Sequence, residues 1–284
     1  MIQKLGIVGC GQMGGGIAQV AAQAGFSVIS CEVSEDLWKK GFSRIEKNID
    51  KAIEKGKADQ ALKTKTMGNL KGTTKLADLA DCDLVIEAVV EFMDEKVKTF
   101  KELDKICKPA AIFATNTSSL SVGDMSAVTK RRDKFCGLHF FNPVHMMKLC
   151  ELVRTIDTSD ATIAAAKEFA EKCGKSVVMA KDRPGFIVNA LLIPYLLDAI
   201  RLLESGGATR EDIDSGMMLG CGHPMGPLSL NDFIGLDTML SIADVMFEEY
   251  KDKHYAAPPL LRRMVRAGYL GKKSGRGFYD YTPK

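Results

Sequence analysis

Short apolar runs alternate with helix-length stretches through the first 180 residues. Strand character falls on Lys4 to Val8, Ser27 to Glu32, Asp83 to Val89, Ala111 to Thr115, Lys134 to Phe140, Lys148 to Arg154 and Ser176 to Ala180. Helix-length segments lie near residues 12–25, 36–57, 93–107 and 160–173. The fold class is therefore α/β, a doubly wound, mainly parallel sheet with right-handed crossovers. Ligands of such a sheet lie at the carboxyl ends of its strands.

The pattern changes at Arg183-Pro184-Gly185. The remainder of the chain is helical almost throughout, beginning with the apolar segment Phe186 to Leu203. Thr209 followed by Asp212 has the form of a capping box, and breakers at His223-Pro224, Gly226-Pro227, Gly235 and Pro258-Pro259 divide several short helices. Two domains are expected, 1–182 and an all-helical 183–284. The interval 33–82 is too long for one crossover helix and predicts an inserted helical pair at about 36–70.

The 284 residues carry a formal net charge of +3, which gives no general attraction to nucleic acid or to acidic membranes. The one asymmetry is residues 39–75, where eleven Lys or Arg face four Asp or Glu, a net +7. No apolar run approaches the roughly 18 residues of a membrane span, and Met1 leads directly into a strand, so a cytoplasmic protein is expected. Eight cysteines are dispersed without a CxxC pair and read as reduced core thiols. With four histidines in the chain, no multi-histidine metal site is expected.

Gly9-Cys10-Gly11-Gln12-Met13-Gly14 supplies the chemistry at the first strand end. It is a GxGxxG loop directly after a strand and directly before a helix. The first glycine permits a tight turn, the second lets backbone approach a pyrophosphate, and the third lets the helix pack on the sheet. Free N–H groups at the helix start then meet the phosphates. Glu32 ends the second strand, where a carboxylate bonds the adenosine ribose and repels an added phosphate. No Lys or Arg follows before Lys39, so this Rossmann-like site favours NAD over NADP.

Gly137-Leu138-His139-Phe140-Phe141-Asn142-Pro143 places a histidine at a strand end, with Glu151 twelve residues on. If Asn142-Pro143 to Met147 forms a reversal, positions 139 and 151 are symmetric about 145 and become cross-strand neighbours, about 5 Å apart at Cβ. A carboxylate there would fix the imidazole tautomer and stabilise imidazolium. Taken alone, a histidine in an apolar strand is more often structural. His145, His223 and His254 are read that way.

These motifs closely resemble the 3-hydroxyacyl-CoA dehydrogenases, especially the short bacterial 3-hydroxybutyryl-CoA enzymes. The likeness runs over essentially the whole chain. It includes Asn116-Thr117-Ser118-Ser119-Leu120, Glu151-Leu152-Val153, the segment from Asp182-Arg183-Pro184-Gly185 to Asn189, His223-Pro224-Met225-Gly226-Pro227 and the ending Gly271 to Tyr279. The resemblance implies that His139 is the general acid/base, oriented by Glu151, with Ser118 and Asn189 bonding the reacting oxygen or thioester region. It puts Asn142, Glu91, Lys96, Asn116, Ser118 and Lys273 at the cofactor. Without it, Glu91, Lys96 and Lys273 read as solvated charges, and Thr117 and Ser118 as the cap of a turn. The basic insertion, with Lys51 and Lys55 on one helix face, would meet the phosphates of coenzyme A. A homodimer through the helical domain is the expected assembly.

The implied reaction is NAD-dependent oxidation of (S)-3-hydroxyacyl-CoA to 3-oxoacyl-CoA, or its reverse. Two other readings stand beside it: a dehydrogenase of a free hydroxy or sugar acid in the same superfamily, and a non-catalytic relative like a lens crystallin. A small acid does not need the +7 insertion, and a scaffold does not need His139, Glu151, Ser118 and Asn189 together.

Overall fold

The computed structural model describes residues 2–282. The chain divides into two compact units, one ending at Arg183 and the next beginning at Pro184.

The first unit runs β1 (Lys4–Val8), α1 (Gln12–Ala24), β2 (Ser27–Cys31), α2 (Glu35–Glu54), α3 (Gln60–Gly68), β3 (Leu70–Thr73), β4 (Leu84–Glu87), α4 (Met93–Ile106), β5 (Ile112–Thr115), α5 (Val122–Ala127), β6 (Phe135–Phe140), β7 (Leu149–Arg154), α6 (Asp160–Lys172) and β8 (Ser176–Lys181). The strands form one sheet in the order β3-β2-β1-β4-β5-β6-β7-β8. Every neighbouring pair is parallel except β6 and β7.

The interior strands β1 and β4 to β6 are almost wholly buried along their length, which is why they appear in the sequence as unbroken apolar runs. One face packs Leu5, Ile7, Val28 and Ile86 against Ile17, Ala18 and Ala21 of α1. Elsewhere in the unit Phe100 of α4 meets Phe135 edge-on, with ring centroids 4.6 Å apart. The sheet order reverses at β1 and β4, whose carboxyl ends diverge and leave a crevice.

Two elements depart from the sequence reading. The interval after β2 contains the expected helical pair, α2 and α3, but also the strand β3. Leu70-Lys71-Gly72-Thr73 has no apolar alternation because it is a short edge strand; a side chain at Gly72 would collide with Trp38, which covers it. The short helix α5 was also not anticipated. It starts at Ser121, whose hydroxyl accepts the Asp124 N–H.

The second unit comprises α7 (Val188–Glu204), α8 (Arg210–Cys221), α9 (Pro227–Ile234), α10 (Leu236–Tyr250) and α11 (Pro259–Arg266). Its core joins Leu196, Leu197 and Ile200 of α7 to Leu228, Met239, Met246 and Leu261. Thr209 caps α8 as expected, its Oγ1 accepting the Asp212 N–H, but the Asp212 carboxylate accepts the Thr209 hydroxyl at 2.6 Å where a full capping box would take the Thr209 N–H. The C-terminal segment is tied down by Asp232, which accepts the N–H groups of Phe278 and Tyr279. Among the described residues no helix is long and apolar enough to cross a membrane. Seven of the eight cysteines are buried and Cys221 is exposed; all are unpaired thiols.

Candidate active site

At the end of β1 the chain turns through Gly9 at φ +92°, where a Cβ would lie 2.6 Å from the Ala88 carbonyl oxygen. A Cβ on Gly14 would sit 1.8 Å from the Gly9 carbonyl oxygen, so no side chain fits where α1 packs on the turn. Gly11 differs. As the N-cap of α1 it faces open space, with nothing within 4 Å of a Cβ, although its own packing does not demand glycine. That opening, in front of unpaired helix N–H groups, suits an incoming pyrophosphate. Gln12 and Met13 occupy the first turn of α1.

Beside the loop lies a cavity of about 550 Å³, lined by Gly9, Gly11, Glu32, Leu37, Val90 and Lys98 among others. Glu32 is held rigidly at its mouth: one carboxylate oxygen accepts the Cys10 N–H at 2.5 Å and the other the Val33 N–H at 3.2 Å. A second phosphate on the ribose would face this carboxylate. The residues present therefore fit NAD.

Three strands along the sheet from β1 stands the second group. In the antiparallel pair of β6 and β7, His139 is opposite Glu151. His139 Nδ1 and Glu151 Oε2 are 2.6 Å apart, and both side chains are buried. A carboxylate can only accept, so Nδ1 carries the hydrogen in the neutral ring and the basic lone pair is on Nε2. Phe141 packs against the imidazole, with centroids 4.4 Å apart. Lys175 closes the reversal from the side, its ammonium donating to the carbonyls of Val144 at 2.5 Å and Met147 at 2.9 Å.

The reversal also touches the glycine loop. Gln12 Nε2 donates to Asn142 Oδ1 at 3.0 Å, and Val144 lies against Gly16, where a Cβ would come within 2.8 Å. Asn116, just past β5, accepts the Phe140 N–H on its side-chain oxygen at 3.0 Å and so ties β5 to β6 next to His139.

Between these two groups lies a closed ring of polar side chains. Glu87 and Thr115 are register partners at the ends of β4 and β5. Thr115 donates its hydroxyl to Glu87 at 2.7 Å and accepts the Thr117 N–H at 3.2 Å. Thr117 donates to Glu91 at 2.5 Å, Lys96 lies 3.1 Å from the other Glu91 oxygen, and Lys96 returns to Glu87 at 2.7 Å. Glu91 also accepts the Ser118 N–H at 2.9 Å. Burial pushes the Glu91 carboxyl up, but the Lys96 ammonium and the Thr117 and Ser118 donors outweigh it and leave its pKa below the usual 4.5.

The first unit thus brings together the glycine loop, Asn142, His139 and Glu151, and joins Glu91, Lys96 and Ser118 in one network. Thr117 also caps the following turn, accepting the Leu120 N–H at 3.0 Å. Lys96 is not a solvated charge: it is 1% exposed, and Glu87 beside it is fully buried. Glu87 and Thr115 were not anticipated. The available signal was a charged residue closing an otherwise apolar strand, Leu84-Val85-Ile86-Glu87.

Asn189 and Lys273 belong to the second unit. Asn189 is half-buried in the first turn of α7, and Lys273 is paired with Asp237 at 2.6 Å. Lys51 and Lys55 are exposed, but α2 ends at Glu54, so Lys55 is the cap residue and not part of a continuous helix face. Two acids of the insertion, Glu46 and Asp50, are both engaged by Lys63.

A phosphate-accepting glycine loop, a ribose-side carboxylate and a buried histidine–carboxylate pair on one doubly wound sheet define an NAD-dependent oxidoreductase. Residues 4–183 match the 3-hydroxyacyl-CoA dehydrogenase NAD binding domain and residues 185–281 the C-terminal domain of the same family. The chain belongs to the 3-hydroxyacyl-CoA dehydrogenases. It is 53% identical over 284 residues to a 3-hydroxybutyryl-CoA dehydrogenase of Mycobacterium tuberculosis, covering 99% of each chain. It is 42% identical over 288 residues to the mitochondrial hydroxyacyl-coenzyme A dehydrogenase of Sus scrofa, covering 99% and 92%. The crystal structure of (S)-3-hydroxybutyryl-CoA dehydrogenase from Ralstonia eutropha superposes with a TM-score of 0.96 at 45% identity, over 100% of both chains.

Proposed function

We propose that this chain interconverts (S)-3-hydroxyacyl-CoA and 3-oxoacyl-CoA, with 3-hydroxybutyryl-CoA and acetoacetyl-CoA as the short-chain pair. The observation that carries the reading is the buried 2.6 Å contact of His139 Nδ1 with Glu151 at the same sheet end as the glycine loop. In this reading His139 Nε2 takes the proton of the C3 hydroxyl, and the Glu151 carboxylate stabilises the imidazolium that forms. Bound NAD supplies the hydride acceptor. Ser118 and Asn189 bond the reacting oxygen or the thioester, and Asn142, Asn116, Glu91, Lys96 and Lys273 line the nicotinamide side. Lys51 and Lys55 meet the phosphates of coenzyme A, with the basic insertion lowering the cost of gathering that charge.

An assay at about 340 nm with acetoacetyl-CoA and NADH tests the reading, since NADH oxidation is observed directly. Turnover of acetoacetyl-CoA supports it; turnover of free acetoacetate alone would replace it with a free-acid dehydrogenase. We further place the protein in the cytoplasm as a homodimer joined through its helical unit. Unpaired thiols support a reducing compartment. Leu191, Leu219 and Phe233 of the helical unit are 74%, 87% and 56% exposed, which suits a covered face. Sedimentation of the wild type and of Leu219→Glu tests the dimer: a monomeric wild type overturns it.

A further inference from the structure

Burying an ion pair rarely gains stability over well-packed apolar residues, because desolvation offsets the attraction. The first unit nevertheless buries Glu87 and Lys96 completely and adds Glu91, two carboxylates to one ammonium. Glu87 is the hub. It accepts the Thr115 hydroxyl on one oxygen, and the Val89 N–H and the Lys96 ammonium on the other, each at 2.7 Å. These contacts fix the ends of two strands and the direction of one ammonium.

That direction matters for Ser118. Glu91 Oε1 already accepts the Thr117 hydroxyl and the Ser118 N–H, while the Ser118 hydroxyl is 3.4 Å away, too long for a strong O–H···O bond. The backbone of Ser118 is held and its hydroxyl is left weakly committed. Lys96 is shared between Glu87 and Glu91, at 2.7 and 3.1 Å. Were Glu87 uncharged, Lys96 would turn wholly to Glu91 and draw it from Ser118.

We infer that Glu87 is a positioning residue for the reaction: its buried carboxylate divides Lys96 between two acids and thereby sets Glu91 and the hydroxyl of Ser118. The inference rests on the reading that Ser118 contacts the substrate oxygen. Glu87 itself is fully buried, its oxygens taken up by Thr115, Val89 and Lys96.

A double-mutant cycle between Glu87 and Ser118 tests it. Glu87→Gln should lower kcat by about tenfold, and Ser118→Ala should also lower kcat. In the Ser118→Ala background, Glu87→Gln should cost less than about twofold more, because its effect passes through Ser118. Full additivity, or a Glu87→Gln enzyme within twofold of wild type, overturns the inference. A Ser118→Ala enzyme with unchanged kcat overturns the reading of Ser118 and the inference with it; a drop in that variant alone overturns only the inference. Should Glu87→Gln fail to fold, Thr115→Val loosens the same carboxylate. It should lower kcat by about threefold with the same non-additivity toward Ser118→Ala, and additivity there overturns the inference equally.

Discussion

His139 and Glu151 meet across an antiparallel pair whose strands are joined by residues 141–148 alone. Glu87, Lys96 and Glu91 meet across parallel strands and the helix between them, closed into a ring by Thr115 and Thr117. Both systems set a buried carboxylate against a nitrogen donor at the carboxyl ends of the parallel strands. They differ in construction. The first centres on one short contact between a base and a carboxylate; the second distributes a net negative charge over several mutually polarising bonds. In the proposed reaction that pair is the one that exchanges a proton. A ring is suited to holding still, since moving one member disturbs all.

That contrast sets what should happen when each is cut. His139→Gln should reduce turnover about 10³- to 10⁴-fold while NADH affinity, measured by fluorescence titration, stays within about twofold. Loss of NADH binding in a folded variant would place His139 in the cofactor site instead. Lys96→Met should instead cost stability, about 3–5 kcal/mol by denaturant titration, because it leaves the buried Glu87 carboxylate uncompensated beside Glu91. An equally stable Lys96→Met protein would end the comparison.

Glu151→Gln should fall between, with turnover reduced about 10²-fold and little change in melting temperature, since the imidazole loses its charged acceptor but not its packing. The smallest effect concerns Glu91. Its folded pKa lies below the ordinary 4.5, so its contribution to stability is present above that value and is lost as pH falls through the folded one. Glu91→Gln should therefore lose less stability than wild type between about pH 5 and about pH 3, measured by denaturant unfolding. A variant that tracks wild type over that range would remove the carboxylate from the ring's energetics.

The histidine–glutamate pair was legible because an antiparallel reversal is a local event. Counting out from position 145 is enough to pair 139 with 151, and alternation then puts both on one face. The glycine loop was legible for a similar reason, since strand, turn and helix succeed one another without interruption. The ring was not. Register between Glu87 and Thr115 is set by a crossover of 24 residues, 88–111, whose length carries no information about pairing. Lys96 sits on a helix among Asp94, Glu95 and Lys98, and nothing in that charged run marks it as the one turned inward. Strand β3 was hidden differently: as a two-sided edge with a lysine and a glycine, it lacks the pattern that burial imposes.

The amino-acid sequence alone determined the doubly wound class, the change to helices after residue 183, the NAD loop and the His139–Glu151 pairing. Each stems from interactions between residues close along the chain or from the apolar repeat that burial demands. Only the tertiary structure decided that Lys96 is buried between two acids, that Glu32 clasps the glycine loop and that Gln12 reaches Asn142. Those contacts join residues up to 130 positions apart. Their geometry comes from how parallel strands align after folding, which no local spacing encodes.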